Sequence, residues 1–232
     1  MLINPTHFHP RNYHEAVAWQ EAMRGRVQIT PLGRKPRLVS GVDAAYDKRE
    51  KCIFGAANLY SYPGLELLEE VGVEDEIPFP YIPGLLSFRE APVLAAALAR
   101  LGRRPDVVLV DGQGIAHPRG LGLASHLGVL LDIPTIGVAK SRLVGEGLEP
   151  DDAAGSASPL YREGKIVGLI LRTKDRVKPL YLSPGHRLTL EECREITLGC
   201  VTRYRLPLPL RQADLLSRRL KKDAGTQRGT LA

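Results

Sequence analysis

The stretch that most constrains the fold is residues 105–120, PDVVLVDGQGIAHPRG. Its apolar run, Val107–Val110, is four consecutive β-branched or aliphatic residues bounded by Pro105 and Gly112. Such a run predicts a strand covered on both faces, as in a parallel sheet between helix layers. The strand ends on a carboxylate, Asp111. Gly112, Gln113 and Gly114 follow, so the backbone can turn sharply there and be approached closely. A carboxylate at the end of a central strand stands where open α/β sheets place their ligands. Asp-Gly is equally ordinary turn chemistry, so Asp111 taken alone suits either a turn or a site.

The remaining elements read around that strand. A helix is expected at 12–24. Strands are expected at 38–46, 52–60 and 65–73, joined by short turns that favour antiparallel hairpins; the third run would also suit a short helix. Then come a helix at 90–101, the central strand at 106–110, a helix at 120–131 and a strand at 135–139. Two more strands at 166–172 and 180–182 precede helices at 189–201 and 211–222. Hairpins followed by βαβ units predict an α/β fold: a mixed sheet with helices on both faces. The chain of 232 residues reads as a single domain, 1–223, with a polar and disordered tail at 224–232.

Composition narrows the function classes. The net charge is +6, with a pI of about 9.3, which permits a nucleic-acid partner without requiring one. Basic residues gather at 24–37 and at Arg218, Arg219, Lys221 and Lys222, as a solvated face also would. No apolar run is long enough to span a bilayer, and the first residues show no signal peptide. Cys52, Cys193 and Cys200 are odd in number and lack metal-ligand spacing, which suggests a reducing cytoplasm without disulfides.

Asp43 lies in the first strand, within an otherwise small and apolar run. If that strand neighbours the one carrying Asp111, the two carboxylates repel unless a cation or proton intervenes. Magnesium suits such a place, being held by one or two carboxylates with water and phosphate oxygens. An outward-facing Asp43 on an edge strand is the plainer reading. Glu90 is a third acid. Ser87 and Glu90 match a capping box, but that start would put Pro92 in the second turn of the helix, where it is disruptive. A later start, with Pro92 near the first position, frees Glu90. Lys140, at a strand end, is placed to meet phosphate charge or simply to be solvated. His117 suits a phosphate contact or a turn before Pro118. His126 and Asp214 read as structural and as an exposed helical acid.

Pro80-Tyr81-Ile82-Pro83 is stiff yet apolar, because two prolines fix the backbone around an aromatic and a β-branched residue. It suits a core anchor with Tyr81 packed inside, a Pro-rich peptide ligand, or a wedge that pushes between bases. Unstacking is cheapest at a damaged or mismatched base, so a wedge favours lesions.

With GVDAAY at 41–46, PYIPGLLSFRE at 80–90, VLVDGQGIAHPRGLGLASHLGV at 108–129 and GVAKSRLVG at 137–145, the chain resembles the endonuclease V family of deoxyinosine 3′ endonucleases. The resemblance implies a ribonuclease H-like fold. It implies that Asp43 and Asp111 bind Mg²⁺ directly, that Glu90 completes the acidic site, and that Mn²⁺ substitutes. It implies Lys140 near the scissile phosphate and His117 at the rim of the site. Pro80, Tyr81, Ile82 and Pro83 would form the wedge, with Gly84 and Gly112 lining a hypoxanthine pocket. The family's last acidic or histidine position maps only loosely onto Asp214. The implied function is a cytoplasmic, monomeric, Mg²⁺-dependent DNA repair endonuclease cleaving the second phosphodiester bond 3′ to deoxyinosine. Two other readings stay open: an inosine-specific endoribonuclease acting on RNA, and a non-catalytic nucleic-acid binding module of the same fold.

Overall fold

A computed structural model describes residues 10–47 and 51–229. The N-terminal stretch read for a signal peptide, part of the first hairpin turn, and the last three residues of the expected tail lie outside them. The helix α1 (Tyr13–Arg24) begins where the Asn12 side chain accepts the Glu15 N–H. Three strands follow, β1 (Leu38–Asp47), β2 (Cys52–Ser61) and β3 (Leu67–Glu76). Then come α2 (Ser87–Ala99), β4 (Val107–Val110), α3 (Leu123–Leu131) and β5 (Thr135–Ala139). A second antiparallel set, β6 (Ala157–Arg162), β7 (Lys165–Leu171) and β8 (Leu180–His186), precedes α4 (Leu190–Gly199) and α5 (Leu208–Gly229).

One eight-stranded sheet results, in the order β3-β2-β1-β4-β5-β8-β7-β6. β1 is antiparallel to β2 and parallel to β4, β4 is parallel to β5, and β5 is antiparallel to β8. The expected mixed α/β sheet, hairpins first and parallel strands after, is the one observed. β4 sits at its centre and is buried throughout. Alternation along the strands divides the core in two. Val42, Val108 and Val110 pack with Leu94 of α2 and Leu127 of α3 on one face. Val39, Val107, Leu109 and Ile136 pack with Ile196 of α4 and Leu210 of α5 on the other. A third cluster, with Ala16, Met23, Phe79, Leu85, Phe88 and Leu121, joins α1 to the loop before α2. All three cysteines are free thiols, and among the described residues no helix is long and apolar enough to cross a membrane.

Several expectations are corrected. No strand was expected at β6, which contains Pro159. It is the last strand of the sheet, and an edge strand tolerates a residue that cannot donate to the ladder. β8 runs on through Pro184 and Gly185, beside a register shift opposite Thr135 and Ile136. α2 starts at Ser87, so Pro92 does stand in its second turn. The lost backbone bond is tolerated because Phe88, Ala91, Val93 and Leu94 are buried around it. Ser87 does not cap that helix; its hydroxyl meets Nδ1 of the buried His126 at 2.9 Å. α5 extends to Gly229, so the boundary expected after Asp223 falls within a helix.

α5 is tied to the sheet by one buried side chain. Asn58 of β2 accepts the Gly41 N–H at 2.9 Å and donates to the Pro209 carbonyl at 2.7 Å. Replacing it by leucine would bury both backbone groups without partners. Asn58→Leu is therefore expected to lower unfolding stability by roughly 2–4 kcal/mol. The measurement is the denaturant midpoint at unchanged slope; an unaltered midpoint would refute this anchoring.

Candidate active site

The parallel register of β1 and β4 pairs Val42 with Val110, and the Asp111 N–H reaches the Val42 carbonyl at 3.4 Å. Asp43, within β1, and Asp111, just past the end of β4, therefore stand side by side on neighbouring strands. Lys140 follows β5 directly, on the other side of β4, and its ammonium forms an ion pair with Asp111 Oδ2. Three residues read from separate stretches of sequence are thus brought together by three adjacent strands. Lys140 remains exposed, and its ammonium turns to Asp111.

The electrostatics are those of crowded, poorly solvated acids. Burial pushes the Asp43 carboxyl up to about 8, and the charges of Asp111, Asp214 and Glu90 add to it against the pull of Lys140. Burial also pushes Glu90 up to about 7, with Asp111 adding; the Tyr46 hydrogen bond and Arg89 oppose. For Lys140 burial works against the charge, yet its bond to Asp111 and the nearby acids hold its pKa above the usual lysine value.

Glu90 approaches from α2, on the opposite face of the sheet from α5. Tyr46, the last aromatic of β1, donates its hydroxyl to Glu90 Oε1 at 2.5 Å. The Arg89 guanidinium covers the Tyr46 ring at 4.5 Å. Burial, then the charge and hydrogen bond of Glu90, drive the Tyr46 phenol well above its ordinary range, so it remains a donor. From the α5 side, Ser217 donates to the Asp214 carbonyl at 3.0 Å and lies 3.5 Å from Asp43 Oδ2. Asp214 itself pairs with Arg218 at 2.8 Å. Sequence reasoning passed over Tyr46, which is three residues from Asp43 and so on the other face of the strand. It set Asp214 aside because an acid on a helix is most simply an exposed one.

The loop before α2 carries Pro80, Tyr81, Ile82, Pro83 and Gly84. Phe79 is buried beneath it and Ile82 packs on the same cluster, while Tyr81 is 67% exposed. Tyr81 is therefore not a core anchor. The Leu85 N–H bonds the Ile82 carbonyl at 2.9 Å, with Pro83 and Gly84 between them and Gly84 at φ +79°, the pattern of a type II turn. The DGQG segment is approached closely, as its glycines suggest, but by the protein itself. A side chain at Gly114 would stand 2.1 Å from the Pro184 carbonyl oxygen, and the Gly114 N–H donates to Ser183 Oγ. Gly112 precedes it at the end of β4. His117 is buried, accepts the Arg119 N–H at Nδ1, and is pushed down to about 4 by burial and by the Arg119 and Arg162 charges. It is a neutral group braced against the backbone of Gly84.

Among the described residues, no three His, Cys, Asp or Glu side chains gather into a metal cage. The acids fit an open site instead. Asp43 and Asp111 supply a few hard oxygens whose charges oppose each other, the donor set that a magnesium ion with its own water and phosphate ligands accepts.

Comparison with known proteins follows the same outline. Residues 21–215 match the profile of the Endonuclease V family. Endonuclease V of Gloeobacter violaceus is 50% identical over 188 residues, 79% of this chain and 76% of that protein. That of Nostoc sp. (strain PCC 7120) is 45% identical over 218 residues, 94% and 99% of the two chains. The structure of Endonuclease V from Streptomyces avermitilis superposes with a TM-score of 0.89 at 43% identity, covering 93% of this chain and 96% of the other. Ciona intestinalis Endonuclease V, solved in complex with a 24mer DNA containing an inosine followed by a ribo-adenosine, gives 0.79 at 28% identity, with coverage of 91% and 98%.

The acid cluster makes the metal-free fold sensitive to pH. Asp43 and Glu90 titrate above their unfolded values, so the folded chain binds more protons between about 4 and about 8, and stability falls as pH rises through that window. In EDTA the melting temperature is expected to be roughly 3–8 °C lower near pH 8.5 than near pH 5. Asp43→Asn should shrink the difference, and Mg²⁺ should raise the alkaline arm. Thermal scans across pH would count against the assignment if the Asn variant kept the full dependence.

Proposed function

Because the chain belongs to the endonuclease V family, we propose that it is a Mg²⁺-dependent DNA repair endonuclease that recognises deoxyinosine, the deaminated form of deoxyadenosine, in DNA. It hydrolyses the second phosphodiester bond 3′ to that base, leaving a 3′-hydroxyl and a 5′-phosphate. The observation that carries this reading is the double attachment of the first turn of α2. Arg89 donates to the Phe79 carbonyl of the exposed loop at 3.4 Å, and the next residue, Glu90, is bonded to Tyr46 of the strand that carries Asp43. One rigid element thus links a base-wedging loop to an acid cluster.

Each residue then has a task. Tyr81, apolar, exposed and held between two prolines, enters the stack as the inosine leaves it. Opening the stack costs a few kcal/mol, least at a mispaired base, which favours the deaminated site. Ile82 keeps the loop seated, and the backbones of Gly84 and Gly112 line the place of the extruded base. Asp43 and Asp111 hold the divalent metal, Mg²⁺ or Mn²⁺, which supplies Lewis acidity and water activation at the scissile phosphate. Glu90 completes the acidic set. Lys140, kept charged beside Asp111, faces the charge that builds on the phosphoryl oxygens. The base stays attached to its sugar, so the product is an incised strand. The three free thiols suit a reducing cytoplasm, where the chain acts as a monomer.

A second reading is favoured by the Ciona intestinalis complex, whose oligonucleotide carries a ribonucleotide after the inosine: an endonuclease for inosine in RNA. A nicking assay on strands differing by one inosine, in DNA and in RNA, with Mg²⁺ or EDTA, separates these. A Mg²⁺-dependent nick one bond beyond the inosine's own 3′ linkage is expected in DNA; a nick in RNA alone would transfer the function to RNA. Asp111→Ala should lower the cleavage rate on the order of 10³-fold, several kcal/mol, while retaining binding. Tyr81→Ala should weaken inosine binding first. Firm inosine binding without cutting in the unaltered protein would leave a binding module.

A further inference from the structure

Gly84 ends the wedge loop, and its backbone is gripped from two distant parts of the chain. Gln20 lies on the inner face of α1 and is fully buried. Its Nε2 donates to the Gly84 carbonyl at 3.1 Å and to the Leu121 carbonyl at 2.9 Å. Its Oε1 accepts Nε–H of Arg119, whose Nη2 donates to the same Gly84 carbonyl at 2.7 Å. One carbonyl oxygen therefore accepts from both residues, and the two are bonded to each other. The guanidinium lies over Gly84, where an added Cβ would stand 2.8 Å from Nη2. His117 braces the same backbone from below, and its own carbonyl accepts from Arg162. Among the described residues, Arg119 pairs with no carboxylate, so its hydrogen bonds go to this clasp.

The arrangement is more than is needed to hold α1 in place. Ala16 and Met23 bury the apolar face of that helix against Phe79, Leu85 and Phe88. A fully buried glutamine amide costs desolvation unless each of its groups is bonded. Here all its bonds run to the end of the wedge loop or to the segment that follows β4. A wedge is effective only if it is already in position when the stack opens, because ordering it at that moment would cost binding energy.

We propose that Gln20 and Arg119 form a clamp that fixes the wedge loop in its base-displacing position, making them positioning residues for inosine recognition. This rests on the wedge reading of Tyr81 given above. Gln20 never touches the substrate; it acts through Arg119 and Gly84 on Tyr81.

The test is a double-mutant cycle on the full chain. Gln20→Met and Arg119→Lys are made singly and each with Tyr81→Ala. Affinity is measured for an inosine duplex and for the same duplex with adenine, with Ca²⁺ replacing Mg²⁺ to hold off cutting. A 2-aminopurine beside the inosine reports opening of the stack. Each clamp variant is expected to lower the inosine-to-adenine affinity ratio about tenfold and to dim the 2-aminopurine signal, but to change the ratio less than about twofold once Tyr81 is alanine. Full additivity with Tyr81→Ala would overturn the clamp. So would an Arg119→Lys effect that weakens both duplexes equally while Gln20→Met is silent, the signature of a phosphate contact. If Gln20→Met does not fold, the half-exposed Arg119→Lys carries the cycle. Should Tyr81→Ala alone leave the ratio unchanged, the wedge reading itself fails and the clamp falls with it.

Discussion

Val42 of β1 lies beside Val110 of β4 in parallel register, and that pairing sets Asp43 and Asp111 next to each other at one edge of the sheet. A stretch of apolar sheet makes the juxtaposition possible and also makes it costly. β4 is buried on both faces, and burial first, then the neighbouring charge of Asp111, raises the energy of the ionised Asp43 carboxyl. Lys140 relieves part of that strain from β5. The acid cluster is thus a local excess of negative charge held in place by the two apolar clusters on either face of the sheet.

The two faces of the sheet contribute differently. α5, anchored through Asn58 at Pro209, brings Asp214 and Ser217 over Asp43. α2 brings Glu90 to Tyr46 on the other side. Because α2 also begins at the end of the loop that bears Tyr81, that loop and the acid cluster are tied to one helix.

Much of this was legible in the chain. The run VVLV gave a buried central strand ending on a carboxylate, because a short apolar run between Pro and Gly has few other uses. Hairpins before βαβ units implied a mixed sheet. Other features were hidden by local chemistry that pointed elsewhere. Pro159 and Pro184 disguised strands, since a proline signals a break unless its place in the sheet is known. Pro92 argued for a late start to α2, and burial of its neighbours overrode that preference. Ser87 looked like a cap, yet its partner is His126, a residue 39 positions away.

By itself the sequence determined which groups were candidates: Asp43, Glu90, Asp111 and Lys140 near apolar runs, and a proline-stiffened loop bearing Tyr81. Those are properties of residue type and near spacing, which local physics governs. Tertiary structure alone decided that Asp214 lies near Asp43 and Tyr46 against Glu90, that His117 is neutral and internal, and that Gln20 reaches Gly84 across 64 residues of chain. The physical reason is that burial and charge pairing depend on what the fold stacks above each residue. No reading along the chain contains that neighbourhood until strand order and helix placement have been fixed.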